Sequence, residues 1–269
     1  KLVGIHIKGG NAGLTVDGLA SVVVRRVWFD DTSGGGVLLT GKKASLQMSD
    51  TLVQGNRSAS DVEGGSGITF ADGARGTLRR VRLTANERRG LNLFGVGSFA
   101  LAEELVVDGT LSAPKDQDAG WGVMVSSGAQ LTISRGWLFG NRSAGVLVQD
   151  ARLRAEGLRA EATLPKAADK TLGVGIYAWG HSVVALLGSA IVANRACGAM
   201  ALSGAVLSLA GARVKGTLPA GNGETFGCGV RAGFKSTVVL HAVRVQGNHG
   251  TGVHVEGQGA SLHASDLVV

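Results

Sequence analysis

The sequence predicts an all-β solenoid, a parallel β-helix, on three observations: a glycine-rich composition, a repeat of strictly alternating length, and apolar residues at every second position. Gly accounts for 44 of 269 residues, Pro for 3 and aromatic residues for 4%. Glycine at that level, without a three-residue period and with 44% hydrophobic residues, excludes collagen and disorder. It points to many tight turns between short β-branched strands.

The repeat is anchored on a Gly that precedes a short apolar strand. The anchors are Gly13, Gly36, Gly67, Gly90, Gly122, Gly145, Gly175, Gly198, Gly229 and Gly252, spaced by 23, 31, 23, 32, 23, 30, 23, 31 and 23 residues. Taken two at a time they recur every 53 to 55 residues, so the unit pairs a short coil with a long one. A period of 23 is too short for paired helices or a propeller blade, and leucine-rich consensus residues are missing. It fits one rung of a β-helix, giving about ten rungs in five tandem two-rung repeats of ~54 residues. In GVMVSSGAQLTISRGWLFGN (122–141), Val123 and Val125 are expected to point inward and Met124 outward. A single rung cannot bury its own apolar face; stacking completes the core. Ten rungs about 4.8 Å apart make a rod about 50 Å long.

Asn86, Asn141, Asn194 and Asn248 each follow a short-coil anchor by 19 residues, and Thr32 takes that place in the first unit. Asn accepts the left-handed backbone of a sharp corner and its amide can satisfy corner backbone groups, so the recurring Asn reads as a stacked turn-former. The chain opens on KLVGIHIKGG and stops on SDLVV, both strand-like. We therefore expect one β-helix domain over 1–269, cut from a longer protein. No apolar run approaches the ~18 residues of a membrane span, and no signal peptide is visible.

With its GNxxxGV turn-plus-strand pattern and this rung length, the chain resembles bacterial right-handed parallel β-helix repeat proteins of the pectate-lyase-like superfamily over essentially its whole length. The resemblance, with the crossover rule, implies the right hand. It also implies an extracellular or cell-surface location. Superfamily enzymes acting on acidic polysaccharides carry acidic residues and a Lys or Arg base on the outer surface of one sheet. Here the outward positions of the anchored strand are Thr15, Leu38, Thr69, Asn92, Met124, Leu147, Tyr177, Met200, Arg231 and His254. No carboxylate cluster stands among them, and the adjacent Asp30–Asp31 suits a turn better than a hydrolase pair.

The extra residues of the long coils fall at 55–66, 109–121, 162–174 and 216–228 and share Thr110, Thr163 and Thr217, then Leu111, Leu164 and Leu218. They are expected to project from one corner as a ridge, so that one loop could be exchanged for a short turn without unfolding the rod. They carry a row of candidate binding carboxylates: Asp61, Asp116 and Asp169, each six residues before an anchor, with Asp118 and Glu63 nearby. Row neighbours lie about 10 Å apart, too far to share one calcium ion. Calcium is then a candidate only within a single loop, PKDQDAG (114–120), and otherwise no cofactor is expected. The six histidines show no metal spacing.

Basic residues gather elsewhere on the rung. Arg26, Arg80 and Arg135 share one offset from their anchors and Arg82 and Arg244 another two residues on, with Arg25 and Arg79 beside them. This partial cationic stripe serves either solubility or contact with an anionic polymer, and the formal charge of +7 is compatible with both. No nucleic-acid-binding motif is present. Trp28 and Trp137 share an offset that suits rod packing or a carbohydrate platform. Cys197 and Cys228 each precede an anchor on adjacent rungs, which makes them neighbours, either as a disulfide or as stacked free thiols. The expected function is an exported structural or recognition module contacting glycan, another anionic polymer or a surface protein. The alternatives are a polysaccharide lyase, hydrolase or epimerase with a loop-built active site, and the shaft of an oligomeric surface fibre.

Overall fold

The computed structural model describes residues 1–58, 64–113, 117, 119–221 and 227–269. Among them there is no helix, and every strand pairing is parallel between successive rungs: the chain is a parallel β-helix. The anchored strands form a ten-stranded sheet in chain order, from Ala12–Asp17 and Gly35–Thr40 to Cys228–Gly233 and Val253–Glu256. A second sheet stacks five-residue strands such as Gln130–Ser134 and Arg152–Glu156, and a third stacks three-residue strands such as Trp137–Phe139 and Arg159–Glu161. Ser45–Gln54 and Arg75–Thr84 run unbroken through the second and third sheets. Anchored strands pair in the expected register, with Val123 on Val146 and Met124 on Leu147.

The interior follows from the two-residue alternation. Val123, Val125, Leu131, Ile133 and Leu138 of one rung are all buried, and their counterparts above and below join one continuous apolar column. A one-residue slip would turn this set outward, so register is fixed by burial.

The anchor glycines are required by close approach, not by backbone torsion, since none of them has a positive φ. At each of the first nine, a Cβ would stand only 2.5–2.7 Å from the carbonyl oxygen of the next anchor. Of the two roles expected of the recurring Asn, its amide does satisfy corner backbone groups, but the left-handed role falls elsewhere. The left-handed residue is the one before it: Ala85, Gly140, Ala193 and Gly247 have φ of 51, 62, 53 and 58°. The Asn side chain itself is buried inside the corner, where it clamps the preceding rung. Asn141 Nδ2 donates to Val107 O at 3.0 Å while its Oδ1 accepts from the Thr110 amide at 3.0 Å. Asn194 repeats this with Ala160 O and the Thr163 amide. Asn alternates with buried Thr110, Thr163 and Thr217 from the long coils, so one clamp serves two rungs.

Cys197 and Cys228 are register partners joined by a disulfide, with Cα atoms 4.6 Å apart. Corner geometry at the strand start lets two parallel-stacked side chains turn toward each other.

Gly122→Ala is expected to cost about 1–3 kcal/mol, because its Cβ would press on Gly145 O and the Asn141 amide. Asn141→Ala, which strands a buried carbonyl and a buried N–H, is expected to cost about 2–4 kcal/mol. Denaturant unfolding of both variants checks these values, and a loss below about 0.5 kcal/mol, the level of an ordinary surface change, contradicts the corner account. Protein unfolded without reductant should show no thiol reactive to a colorimetric reagent.

Candidate functional site

The outer face of the first sheet carries a groove in its N-terminal half and a covered apolar patch in its C-terminal half. Thr69 and Asn92, with Ser126 two residues along, floor the groove, which has a volume of about 530 Å³. Leu38, Met124 and Phe94 add apolar surface to it. Arg89 closes one side, its guanidinium carbon 5.4 Å from the centre of the Trp121 ring. In the C-terminal half chain covers the outward Tyr177 and Met200. Leu172 and Val174 of one long loop and Ala220 of the next pack on Met200, Tyr177 and Leu202 beside the disulfide. The Gly221 amide donates to Lys170 O at 3.0 Å, joining these two loops.

The long loops do start at one corner. Leu111, Leu164 and Leu218 bridge to Glu87, Arg142 and Arg195 of the preceding rungs, and the Thr before each is buried. They do not all stand free as a ridge, however. The loop 162–174 folds back to bury part of the sheet, because Met200 and Tyr177 offer it apolar surface. Burial there pushes the Tyr177 phenol up to about 12.

A row along the edge of the first sheet runs Phe94, Ser126, Gln149, Trp179 in consecutive register, three rung steps or about 14 Å. Trp179 is 41% exposed and meets Tyr177 edge-on at 5.9 Å. Beyond it, Arg231 pairs with Glu256 and holds that carboxyl below its usual range, and His254 lies 3.1 Å from the same carboxylate. The face thus presents amides, hydroxyls and aromatic edges. No carboxylate lines the groove among the described residues.

Of the candidate carboxylates, Asp61, Asp116 and Asp118 lie outside the described residues. Asp169 caps its own loop, accepting from the Thr171 amide and hydroxyl at 2.9 and 2.6 Å, and those bonds hold it below the ordinary Asp range. Among the described residues no three of His, Cys, Asp and Glu converge on an ion site.

The arginines sit on a different face, at and beside the corner between the second and third sheets. Arg26, Arg80 and Arg135 occupy that corner with φ of 53, 51 and 56°. The intervening rungs put Asp50 and Glu104 at the same corner, so the column alternates in sign, a feature hidden when only coils of one type are compared. Arg80 grips Asp50 through two bonds of 2.6 and 3.0 Å, which lower the Asp50 carboxyl. Arg135 reaches Glu103 and Glu104. Arg82 binds Asp108 through two bonds of 3.0 Å. Arg244 stands on the third sheet in register with Arg213. Trp28 and Trp137 lie on that sheet's outer face, 40% and 46% exposed, Trp28 stacked on His6 at 4.2 Å and Trp137 tilted against Phe139.

This rod has the pectate-lyase-like fold of right-handed parallel β-helices. No protein-family model matches the chain, and no curated protein matches it in sequence. Among solved structures, the enzymatically active domain of bacteriophage CBA120 tailspike protein 2 superposes with a TM-score of 0.61 at 12% identity, over 94% of this chain and 43% of that one. The full-length tailspike protein 2 from an Escherichia coli bacteriophage gives 0.56 at 12%, over 94% and 38%. A double mutant of the periplasmic alginate epimerase AlgG gives 0.50 at 12%, over 92% and 70%. The chain thus spans less than half the length of the tailspike chains it resembles, and at this identity the likeness is one of fold.

Tyr177 is the single tyrosine, so its ionisation can be read directly in the ultraviolet. Because the folded value is raised above the ordinary 10, tyrosinate absorbance should stay absent at pH 10–11 in the native protein and appear there on unfolding. Tyr177 therefore contributes stability that is full below pH 10 and lost as pH rises toward about 12.

Proposed function

We propose that the chain is an exported or surface-located recognition module that holds a glycan along the outer face of its first sheet. The observation that carries this reading is the groove over Thr69, Asn92 and Ser126, continued by the aromatic-edged row to Trp179. Sugar hydroxyls need many short neutral hydrogen bonds and a flat apolar surface, and amides, hydroxyls and aromatic rings in one groove supply both. The row runs parallel to the rod axis, which suits a polymer better than a small compact ligand. The disulfide between Cys197 and Cys228 fits an oxidising location. The structural neighbours bear names of tailspike and alginate epimerase, which agree with a carbohydrate ligand.

A glycan array on the intact chain should find a ligand. Trp179→Ala and Asn92→Ala are each expected to weaken it about tenfold, which corresponds to roughly 1.4 kcal/mol, with the melting temperature of the Trp179 variant unchanged. Array-wide silence, or binding indifferent to both substitutions, contradicts this reading. Turnover of the bound glycan would move it to an enzyme whose acids come from the long loops.

A second reading, the shaft of an oligomeric fibre, has one observation of its own. The outer face of the second sheet carries an apolar patch on two adjacent rungs, where Val183, Leu187 and Val206 are 44, 49 and 37% exposed. Light scattering that reports a stable trimer or dimer would favour it.

A further inference from the structure

We propose that the notch between Arg25–Arg26 and Arg79–Arg80 binds an oxyanion carried on an acidic polysaccharide, at a site separate from the groove on the first sheet. These four arginines line a depression of about 500 Å³ floored by Gln47, Ser49 and Thr77.

Its origin lies in the ladder register. Arg25 stands over Ser49, and Ser49 over Arg79, so two outward guanidinium groups flank one short hydroxyl side chain across two rungs, about 10 Å. At the adjoining corner Arg26, Asp50 and Arg80 repeat the arrangement with a carboxylate in the middle. That carboxylate is committed, gripped by Arg80 through two bonds, and Arg79 leans 3.4 Å from Glu103. Arg25 and Arg26 are both exposed, and no ion pair among the described residues reaches either of them. The notch therefore holds two uncommitted guanidinium groups beside the Gln47 amide and the Thr77 hydroxyl, while the Ser49 hydroxyl is engaged with Asp50, whose carboxylate also lines the depression. A planar fork meets a carboxylate or sulfate through two parallel bonds, which a lysine could not offer.

The same inventory argues against nucleic acid. Duplex binding draws on roughly 6–10 phosphate contacts, and single strands need aromatic platforms. This depression offers two free cations and no aromatic lining residue. A polysaccharide with one anion per sugar or per disaccharide can place a single oxyanion in such a notch while its neutral parts lie along the sheet.

The test titrates the intact chain with oligogalacturonate, heparin fragments, neutral dextran and single-stranded DNA, at low and at physiological salt. Either acidic glycan should bind, with a shallow salt dependence reflecting about two released counterions; which one binds assigns the oxyanion as carboxylate or sulfate. The double variant Arg25→Ala with Arg26→Ala should weaken that binding at least tenfold. The double variant Arg152→Ala with Arg154→Ala, exposed arginines of the same sheet, should leave it unchanged, as should Asn92→Ala in the groove. The proposal is overturned if neither acidic glycan binds, if DNA competes equally, or if the Arg152/Arg154 variant is as damaging. It is equally overturned if binding survives loss of Arg25 and Arg26 but falls with Arg213→Ala and Arg244→Ala. Loss of neutral-glycan recognition in the groove variant bears on the first-sheet reading alone.

Discussion

The constraint on which the rest of the molecule depends is the contact at the anchor corner. At the first nine anchors the carbonyl of the next lies within 2.7 Å of the place a Cβ would occupy, so any residue but glycine there presses on backbone. That approach brings the short corner chain close enough for an Asn in the following rung to reach both a carbonyl and an amide of its predecessor. The corner contact and the burial of the inward residues thus require one and the same register. Because each rung contacts only its neighbours, an error at one corner acts locally on two rungs and cannot be averaged over a distant core. Backbone hydrogen bonds between rungs are regular and indifferent to sequence, so specificity has to come from the corners and the inward residues.

The architecture was legible because these two requirements leave periodic marks. Close approach marks every rung with Gly, and the buried clamp marks alternate rungs with Asn86, Asn141 and Asn194, a series that the half-buried Asn248 continues through its bond from the Thr217 amide. Cys197 and Cys228 were placed side by side by the same register. The reason for the Asn was less legible, since a residue type suited to left-handed backbone also suits side-chain clamping; the φ values give the left-handed role to the residue before it. The alternating charge leaves no mark at the two-rung period. Arg26, Arg80 and Arg135 then form a stripe, whereas rung-by-rung stacking inserts Asp50 and Glu104. How a loop folds back leaves no periodic mark at all. Leu172 finding Met200 depends on chain path through thirteen residues, 162–174, whose pattern belongs to no repeat.

The two regions of the first sheet show how one scaffold yields two surfaces. At equivalent outward positions Asn92 and Met200 sit on the same pleat. Around Met200 the loop 162–174 packs down into a second small core beside the disulfide. The interior column is continuous through both halves. Function is thus written in positions that stability leaves free.

The stacked geometry also limits how a β-helix can present charge. Two like charges in one column would stand about 4.8 Å apart on adjacent rungs, a repulsion near 0.9 kcal/mol even in bulk water, and more beside a low-dielectric sheet. Along the strand registers, cation stands directly on cation once, at Arg213 and Arg244. Elsewhere an outward arginine meets a carboxylate, as Arg79 meets Glu103, or a neutral residue, as Arg25 meets Ser49. A dense basic track like those that follow a nucleic-acid backbone would pay this repulsion at every rung. Cations two rungs apart escape it, and the space between them, over one small side chain, is then the natural seat for a single anion. The net charge of +7 is therefore displayed as separated notches and paired ladders, and any acidic polymer recognised by this rod must match the rung spacing and not merely the total charge.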